Sequence, residues 1–235
     1  MKKLKKLDPE KTLAYIRGLN RRSLKYCIIN RLPRPSTIQL LYRIDIYDPK
    51  GKLYKTTGDQ PSHSFVKAFS QLLELMMANA WESAPDTVSI VDTGGSSRNS
   101  SFNIGQYHTR LWVCEAPAGN DDYGILVGTG TTPPATTDYT METVIVHGTG
   151  SGQLSYSACA VGQATEIGAN MDLQITRSFI NGSGDTVSIT ECGLAVRHSI
   201  IGTSTYYFLI IHDAADQDVP DGYTAYVTYT IRTTV

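Results

Sequence analysis

Tyr223-Thr-Ala-Tyr-Val-Thr-Tyr-Thr-Ile-Arg232, near the end of the 235-residue chain, is the stretch that decides the fold class. Successive side chains of a β-strand point to opposite faces of a sheet, and here one set is apolar and the other rich in threonine. The first set is Tyr223, Ala225, Val227, Tyr229 and Ile231, and the second is Thr224, Tyr226, Thr228, Thr230 and Arg232. The stretch predicts a strand with one buried face. Its other face either meets solvent or docks onto a neighbouring protein.

The region from residue 85 onward shows short apolar or alternating runs separated by Gly, Ser, Asn, Asp and Pro, which favour turns. The candidate strands are residues 87–91, 109–115, 125–128, 143–147, 154–161, 171–180, 186–197, 206–212 and 223–232. Asn181-Gly182-Ser183-Gly184 is predicted to join two of them as a hairpin loop. This spacing favours a mainly β fold, an antiparallel, jelly-roll-like β-sandwich, over βαβ units.

A β-hairpin and a helix are predicted ahead of this region. Residues 38–46 alternate with period two, and Asp48-Pro49-Lys50-Gly51 supplies a turn before Leu53 and Tyr54. An amphipathic helix follows, which Ser62 or Ser64 can cap and which ends before Pro85. Its apolar face comprises Phe65, Phe69, Leu72, Leu73, Met76, Met77 and Ala80. We expect that face to pack in the core, with packing against another subunit as the alternative.

The first 35 residues form a basic arm. They hold eleven Lys and Arg residues against Asp8 and Glu10, a net charge of +9, while the remainder sums to −10. Asp8-Pro9-Glu10 has the features of a helix start, and Pro33 and Pro35 favour an extended exit. We predict a helical or extended tether over 1–35, the hairpin plus helix over 36–84, and the sandwich over 85–235. A single domain over 36–235 is the alternative.

The arm is the predicted partner-binding site. Its apolar side chains would contact a partner protein, and its basic side chains would add salt-sensitive attraction to an acidic surface. The predicted contact residues are Leu13, Ile16, Arg17, Arg21, Arg22, Tyr26, Ile28 and Ile29, with further charge from Lys2, Lys3, Lys5 and Lys6. Packaged nucleic acid is the alternative partner of the arm. No apolar run is long enough to predict a membrane-spanning segment, and we expect cytoplasmic synthesis.

Motifs for catalysis, metals or cofactors are not recognisable, so we expect no enzyme activity and no cofactor. The chain has no GxSxG elbow and no Cys-His signature, and its histidines are scattered. Gly128-Thr129-Gly130 lacks the Lys-Ser/Thr of a phosphate-binding loop and predicts a turn. The acidic residues Asp213, Asp216, Asp218 and Asp221 are predicted to share one surface loop, with calcium binding as the alternative. The widely spaced cysteines Cys27, Cys114, Cys159 and Cys192 predict buried free thiols.

Three segments carry a family resemblance. Residues 124–134 read Gly-Ile-Leu-Val-Gly-Thr-Gly-Thr-Thr-Pro-Pro and run on to Asp138-Tyr139. Residues 177–194 read Arg-Ser-Phe-Ile-Asn-Gly-Ser-Gly-Asp-Thr-Val-Ser-Ile-Thr-Glu-Cys-Gly-Leu, and Phe208-Leu-Ile-Ile-His-Asp precedes Val219-Pro-Asp-Gly and Tyr226-Val-Thr-Tyr-Thr-Ile. These segments resemble uncharacterised virion structural proteins of tailed phages. The resemblance spans residues 124–231, consists of strands and turns, and leaves out the arm and the helix.

The resemblance implies a repeated β-structural component of a capsid, neck, tail or fibre. The expected function is therefore that of a non-catalytic virion protein, which self-associates in a symmetric assembly and contacts other virion proteins. The alternative is a receptor- or carbohydrate-binding module, in which Tyr107, Trp112 and Tyr123 form an adhesive loop surface.

Overall fold

The computed structural model of the chain describes residues 37–62, 65–77, 88–100, 112–199 and 205–234. This part is mainly β, with antiparallel sheets. Its strands are β1 (Thr37–Tyr47), β2 (Leu53–Thr56), β3 (Gln60–Pro61), β4 (Val88–Val91), β5 (Ser97–Ser100), β6 (Gly124–Gly128), β7 (Ser155–Tyr156), β8 (Ala160–Val161), β9 (Thr165–Ile167), β10 (Asn170–Ile180), β11 (Val187–Ser199), β12 (Thr205–Val219) and β13 (Thr224–Thr234). Its helix is α1 (Lys67–Met77).

The larger sheet is built around β13. This strand pairs with β1 on one side and β10 on the other, over their full lengths and without a bulge. Strands β2 and β3 lie on the far edge of β1, and the short strands β7, β8 and β9 lie on the far edge of β10. The predicted hairpin over β1 and β2 is confirmed. Because β1 pairs with β13, the predicted segments 36–84 and 85–235 share one sheet.

The smaller sheet has the order β12-β11-β6. The register of β12 against β11 shifts twice, between Ile189 and Glu191 and between Leu194 and Ala195 of β11. Strands β4 and β5 form a separate hairpin. No helix in the described ranges is long and apolar enough to cross a membrane.

Helix α1 packs against β12 and β4. Leu72 is buried and Phe69 is partly buried, so the core-packing prediction is confirmed for these two residues, and Ala68 is buried beside them. The helix begins later than predicted: Phe65 lies before it and forms a β-bridge to Ile211. Ala80 lies outside the described residues.

The two sheets contact each other through their inner faces. Ala225, Val227 and Tyr229 of β13 are fully buried, as the alternation in the sequence predicts. The Tyr229 hydroxyl donates a hydrogen bond to Cys192 Sγ of β11, at 3.3 Å. The apolar core therefore lies between the sheets, and burying these side chains is the main favourable term for the fold.

Arg177 of β10 is a buried cation that also joins the two sheets. Its guanidinium donates hydrogen bonds to the carbonyl oxygens of Ser157, Tyr123 and Ile125. Two further bonds go to the carbonyls of Pro117 and Asn120. Because the guanidinium presents five N–H donors in a planar fork, one side chain satisfies a whole loop of backbone acceptors before and within β6.

The predicted hairpin at Asn181-Gly182-Ser183-Gly184 is wrong. Strands β10 and β11 belong to different sheets, so this segment crosses between them. It lies beside the second crossing, from β12 to β13, since Asn181 N–H donates to the Tyr223 carbonyl and Gly222 N–H to the Asn181 carbonyl. Asn181 Nδ2 also donates to the Val219 carbonyl. Asn181 therefore connects the two segments that cross between the sheets, and it does not close a hairpin.

The predicted acidic loop is also wrong. Strand β12 continues to Val219, so Asp213, Asp216 and Asp218 lie within a strand and only Asp221 lies in a turn. Asp213 is buried and accepts a hydrogen bond from the Ser62 hydroxyl at 2.7 Å. Because β12 is an edge of its sheet, its acidic residues also discourage pairing with other chains.

Three predicted strands are broken or reduced. Residues 154–161 split into β7 and β8, and residues 143–147 form only isolated bridges at Val144 and His147. Of residues 109–115, the described ones form a single bridge at Val113. In irregular segments of this kind, side chains such as Arg177 form the hydrogen bonds that the backbone would otherwise make to a neighbouring strand. The local pattern of the sequence does not show which side chain does so.

Replacing Arg177 with Met should lower the free energy of unfolding by at least about 3 kcal/mol, because several buried carbonyls lose a charged donor at once. Urea denaturation followed by circular dichroism measures this loss. Arg43→Met, at a half-buried surface arginine whose side chain is 40% exposed, is the matched control and should change stability by less than about 1 kcal/mol. Equal losses for the two variants would contradict the structural role of Arg177.

Candidate functional site

The predicted partner-binding residues lie in the arm, outside the described residues, and stay predictions. They are Leu13, Ile16, Arg17, Arg21, Arg22, Tyr26, Ile28 and Ile29. The structure begins at Thr37, the first residue of β1. It therefore describes the surface that the arm joins.

Of the three residues predicted for the alternative adhesive surface, Tyr123 is not accessible. Tyr123 is buried and stacks on Tyr207 with ring centroids 5.7 Å apart. Trp112 is half-buried and packs against the core. Tyr107 lies outside the described residues. A glycan could not reach the ring of Tyr123, so this part of the prediction is wrong.

Glu191, in the middle of β11, is the centre of a buried polar cluster. Its carboxylate accepts hydrogen bonds from the backbone N–H groups of Gly130 at 3.0 Å and Thr143 at 2.8 Å. It also accepts from Glu142 N–H at 3.0 Å and is 2.9 Å from His212 Nε2. The carboxylate thus fastens both ends of the segment 130–143 to the outer side of the smaller sheet.

Two glycines leave room for this carboxylate. A Cβ atom on Gly130 would lie 2.6 Å from Glu191 Oε1, and one on Gly128 would collide with the same oxygen. Gly128-Thr129-Gly130 therefore curves around an anion, as phosphate-binding loops do, but the anion is the protein's own side chain. The prediction that this motif is not a phosphate site agrees with that geometry.

His212 links the cluster to the tip of the segment. Its Nδ1 lies 2.7 Å from Asp138 Oδ2, so the imidazole sits between two carboxylates. Asp138 also accepts a hydrogen bond from Ala135 N–H, which closes a turn in the same segment. Glu142 accepts from the N–H groups of Thr131 and Thr132. The segment is thus held by acidic side chains at several points.

The charges of this cluster are set by its surroundings. Burial opposes ionisation of Glu191, but hydrogen bonds from His212 and from three backbone N–H groups outweigh it and lower the pKa of Glu191 to about 2. Burial likewise disfavours a charged His212, yet its bonds to Glu191 and Asp138 raise the pKa of the imidazole above its ordinary value. The cluster is a carboxylate–imidazolium–carboxylate arrangement in weakly acidic solution.

This arrangement is suited to holding a loop, not to acid–base chemistry on a ligand. Both nitrogens of His212 are engaged, and Glu191 is surrounded by donors. The three thiols in the described ranges are free. Burial raises the pKa of Cys114 and of Cys192 to about 12, so neither is a thiolate nucleophile at neutral pH. Within the described part, no group of His, Cys, Asp and Glu side chains could hold a metal ion.

The inner face of the larger sheet is left open at one end. Ile38 of β1 and Met171 of β10 flank Thr233 in one cross-strand row, and their side chains are 75% and 42% exposed. The next row contains half-buried Ile231 and Leu173. We call these four apolar residues the apolar end. It is continuous with the core and lies where the arm joins β1.

The backbone edge of β1 is open at the same end. Strand β3 first pairs with β1 at Leu41, and Ser62 N–H donates to the Leu40 carbonyl. No described strand pairs with Thr37, Ile38 or Gln39 on that edge. Exposed apolar side chains beside a strand edge that no described strand covers are features of a surface that another chain can cover.

Comparison of the chain with protein-family models, curated proteins and solved structures finds no match in any of the three.

Raising the pH should weaken the Glu191 cluster through His212. A raised histidine pKa adds stability below its ordinary value of 6.5, and this stability is lost as the pH rises through the pKa in the folded protein. The lowered pKa of Glu191 adds stability above its ordinary value of 4.5, which is lost only as the pH falls towards 2. The contributions of His212 and Glu191 to stability are therefore both fully present between pH 4.5 and pH 6.5.

The melting temperatures of the protein and of His212→Gln, measured at pH 5 and pH 9, test this expectation. The gap between them should be larger at pH 5 than at pH 9. Leu53→Ala, at an exposed position that carries no titratable group, is the control, and its gap should not change with pH. A gap for His212→Gln that stays constant, or grows at pH 9, would contradict the charged arrangement.

Proposed function

We propose that the protein is a non-catalytic structural component of a virus particle, of the tailed-phage kind, and that its described part is a jelly-roll-like β-sandwich. Two antiparallel sheets that bury a common core support the sandwich. The resemblance of residues 124–231 to phage virion proteins supports the viral setting. Other virion proteins and further copies of this chain would be its partners, in the virion, after synthesis in the host cytoplasm.

The apolar end is the observation that carries this proposal. An isolated subunit would leave the side chains of Ile38 and Met171 in water, next to a core with which they are continuous. Covering them with a neighbouring subunit removes apolar surface from water and stabilises the contact. Because the open edge of β1 lies at the same place, backbone hydrogen bonds can add to it.

The arm strengthens attachment at the same end. It precedes β1 directly, and its charge of +9 favours an acidic neighbour. Apolar contacts within a formed interface mainly slow its dissociation, whereas the basic residues mainly speed the encounter. Repetition by symmetry then turns individually weak contacts into a stable assembly. Packaged nucleic acid remains the alternative partner for the arm.

Placing charges on the apolar end should block assembly without unfolding the protein. The double variant Ile38→Asp, Met171→Asp adds two acidic groups at exposed positions, where substitutions usually cost little stability. We expect its content in purified particles to fall at least about tenfold, which corresponds to about 1.4 kcal/mol of lost contact energy. Quantitative mass spectrometry of particles made with each variant measures this.

Ile180→Asp is the matched control, because Ile180 is exposed at the opposite end of β10. This variant should enter particles normally. Circular dichroism should show that all variants are folded. Normal incorporation of a folded double variant would mean that the apolar end is not the contact.

Deleting the residues before Ser36 should leave a folded, soluble β domain that no longer enters particles. The described strands all lie within residues 37–234, so the truncated chain retains them. Melting temperature and particle content are the two readouts. Normal incorporation of the truncated protein, or its failure to fold, would contradict the tether.

Salt dependence separates the two partners proposed for the arm. If the arm binds nucleic acid, the isolated full-length protein should bind duplex DNA with an affinity that falls linearly with salt on logarithmic axes. If the arm instead attaches to an acidic protein, binding through the arm should require that protein partner.

A further inference from the structure

The outer face of the larger sheet carries an open depression near the turns that end β1 and begin β13. The rows of the sheet place Tyr47 beside Thr224, Asp45 beside Tyr226, and Arg43 beside Thr228. These six residues form its floor and walls, and the turns at Gly51 and Gly222 form its rim. We call it the tyrosine depression.

Aromatic rings form one wall. Tyr226 is 45% exposed and meets Tyr47 edge to face, with ring centroids 5.3 Å apart and an angle of 80° between the rings. This contact orients both rings while leaving much of Tyr226 in solvent. An exposed tyrosine held in this way offers a flat apolar surface with little conformational entropy to lose on binding.

Polar groups of both signs lie beside the rings. Arg43 Nε is 2.9 Å from Asp45 Oδ2, close enough for an ion pair, although its N–H does not point along a good hydrogen bond. The Thr56 hydroxyl donates to the other oxygen of Asp45. Within the described ranges, the hydroxyls of Tyr47, Tyr226 and Thr224 make no hydrogen bond and are available to a ligand, whereas Thr228 is buried in the floor of the depression.

We infer that the tyrosine depression binds a neutral carbohydrate. A sugar ring has one face of C–H groups, which can stack on Tyr226, and a rim of hydroxyls, which can both donate to Asp45 and accept from Arg43 and the available hydroxyls. The lining carries Asp45 and Asp48 against Arg43, which also lies 3.5 Å from Asp59, and this excess of acidic groups disfavours a phosphate or another anionic ligand. The depression is open to solvent, so a sugar can reach Tyr226 without a change in the fold.

This inference gives the carbohydrate-binding alternative a location different from Tyr107, Trp112 and Tyr123. It does not depend on the attachment role of the arm and apolar end. Binding sugar through one face of the sheet and attaching to a particle through the end of the sheet are compatible.

The test uses the full-length protein on an array of bacterial polysaccharides and animal glycans, followed by calorimetric titration with the best-bound neutral glycan. We expect Tyr226→Ala to weaken binding at least about tenfold and Arg43→Ala several-fold. Tyr226→Phe keeps the ring and should stay within about threefold of the unmodified protein. Tyr54→Ala, at a 60% exposed tyrosine outside the depression, is the control and should bind normally.

Absence of binding to every neutral glycan on the array would overturn the inference. So would binding that Tyr226→Ala leaves intact while the variant is folded. Loss of particle content in Tyr226→Ala, without any glycan binding by the unmodified protein, would identify the depression as a protein contact instead. Since particle content and glycan affinity are measured separately, this inference and the proposed attachment can fail independently.

Discussion

The continuous pairing of β13 with both β1 and β10 is the constraint on which the other features depend. Because no bulge interrupts either register, every side chain of β13 has a fixed neighbour on each side. One face of these rows is the core around Tyr229, and the other is the wall of the tyrosine depression at Tyr226. The inner rows continue past the buried part of the sheet, and this leaves Ile38 and Met171 exposed.

Two buried ionic side chains organise the irregular segments outside this regular sheet. Arg177 is satisfied by carbonyl oxygens and Glu191 mainly by backbone N–H groups, so each charge is matched to loop backbone. A buried charge is costly unless it is fully hydrogen-bonded. Each segment is therefore held in one conformation, because any other conformation would leave a buried charge without its hydrogen-bond partners.

The sequence predicted the features that depend on residues close together along the chain. Alternation in β13 identified Ala225, Val227 and Tyr229 as buried, and the turn at Asp48 identified the first hairpin. It failed at Asn181, since an Asn-Gly pair signals a tight turn but does not say which strands lie on either side. Glu191 was missed because its Gly130 partner lies 61 residues earlier. The available signal was that Glu191 follows Val187 and Ile189 at the apolar positions of an alternating stretch.

The tyrosine depression was visible in the sequence only as a threonine-rich face. Its composition depends on β1, which brings Arg43, Asp45 and Tyr47 alongside β13 across most of the chain length. Such pairing is set by the whole fold, so residue spacing along the chain could not reveal it. The residues predicted for sugar binding, in contrast, include Tyr123, which serves the core.

An electron cryomicroscopy map of the purified particle would show which surfaces of the chain meet its neighbours. We expect symmetric copies of this chain, with the apolar end of each against a neighbouring subunit and the tyrosine depression facing solvent. A particle that lacks the chain, or one in which Ile38 and Met171 face solvent while other surfaces make the contacts, would contradict this expectation.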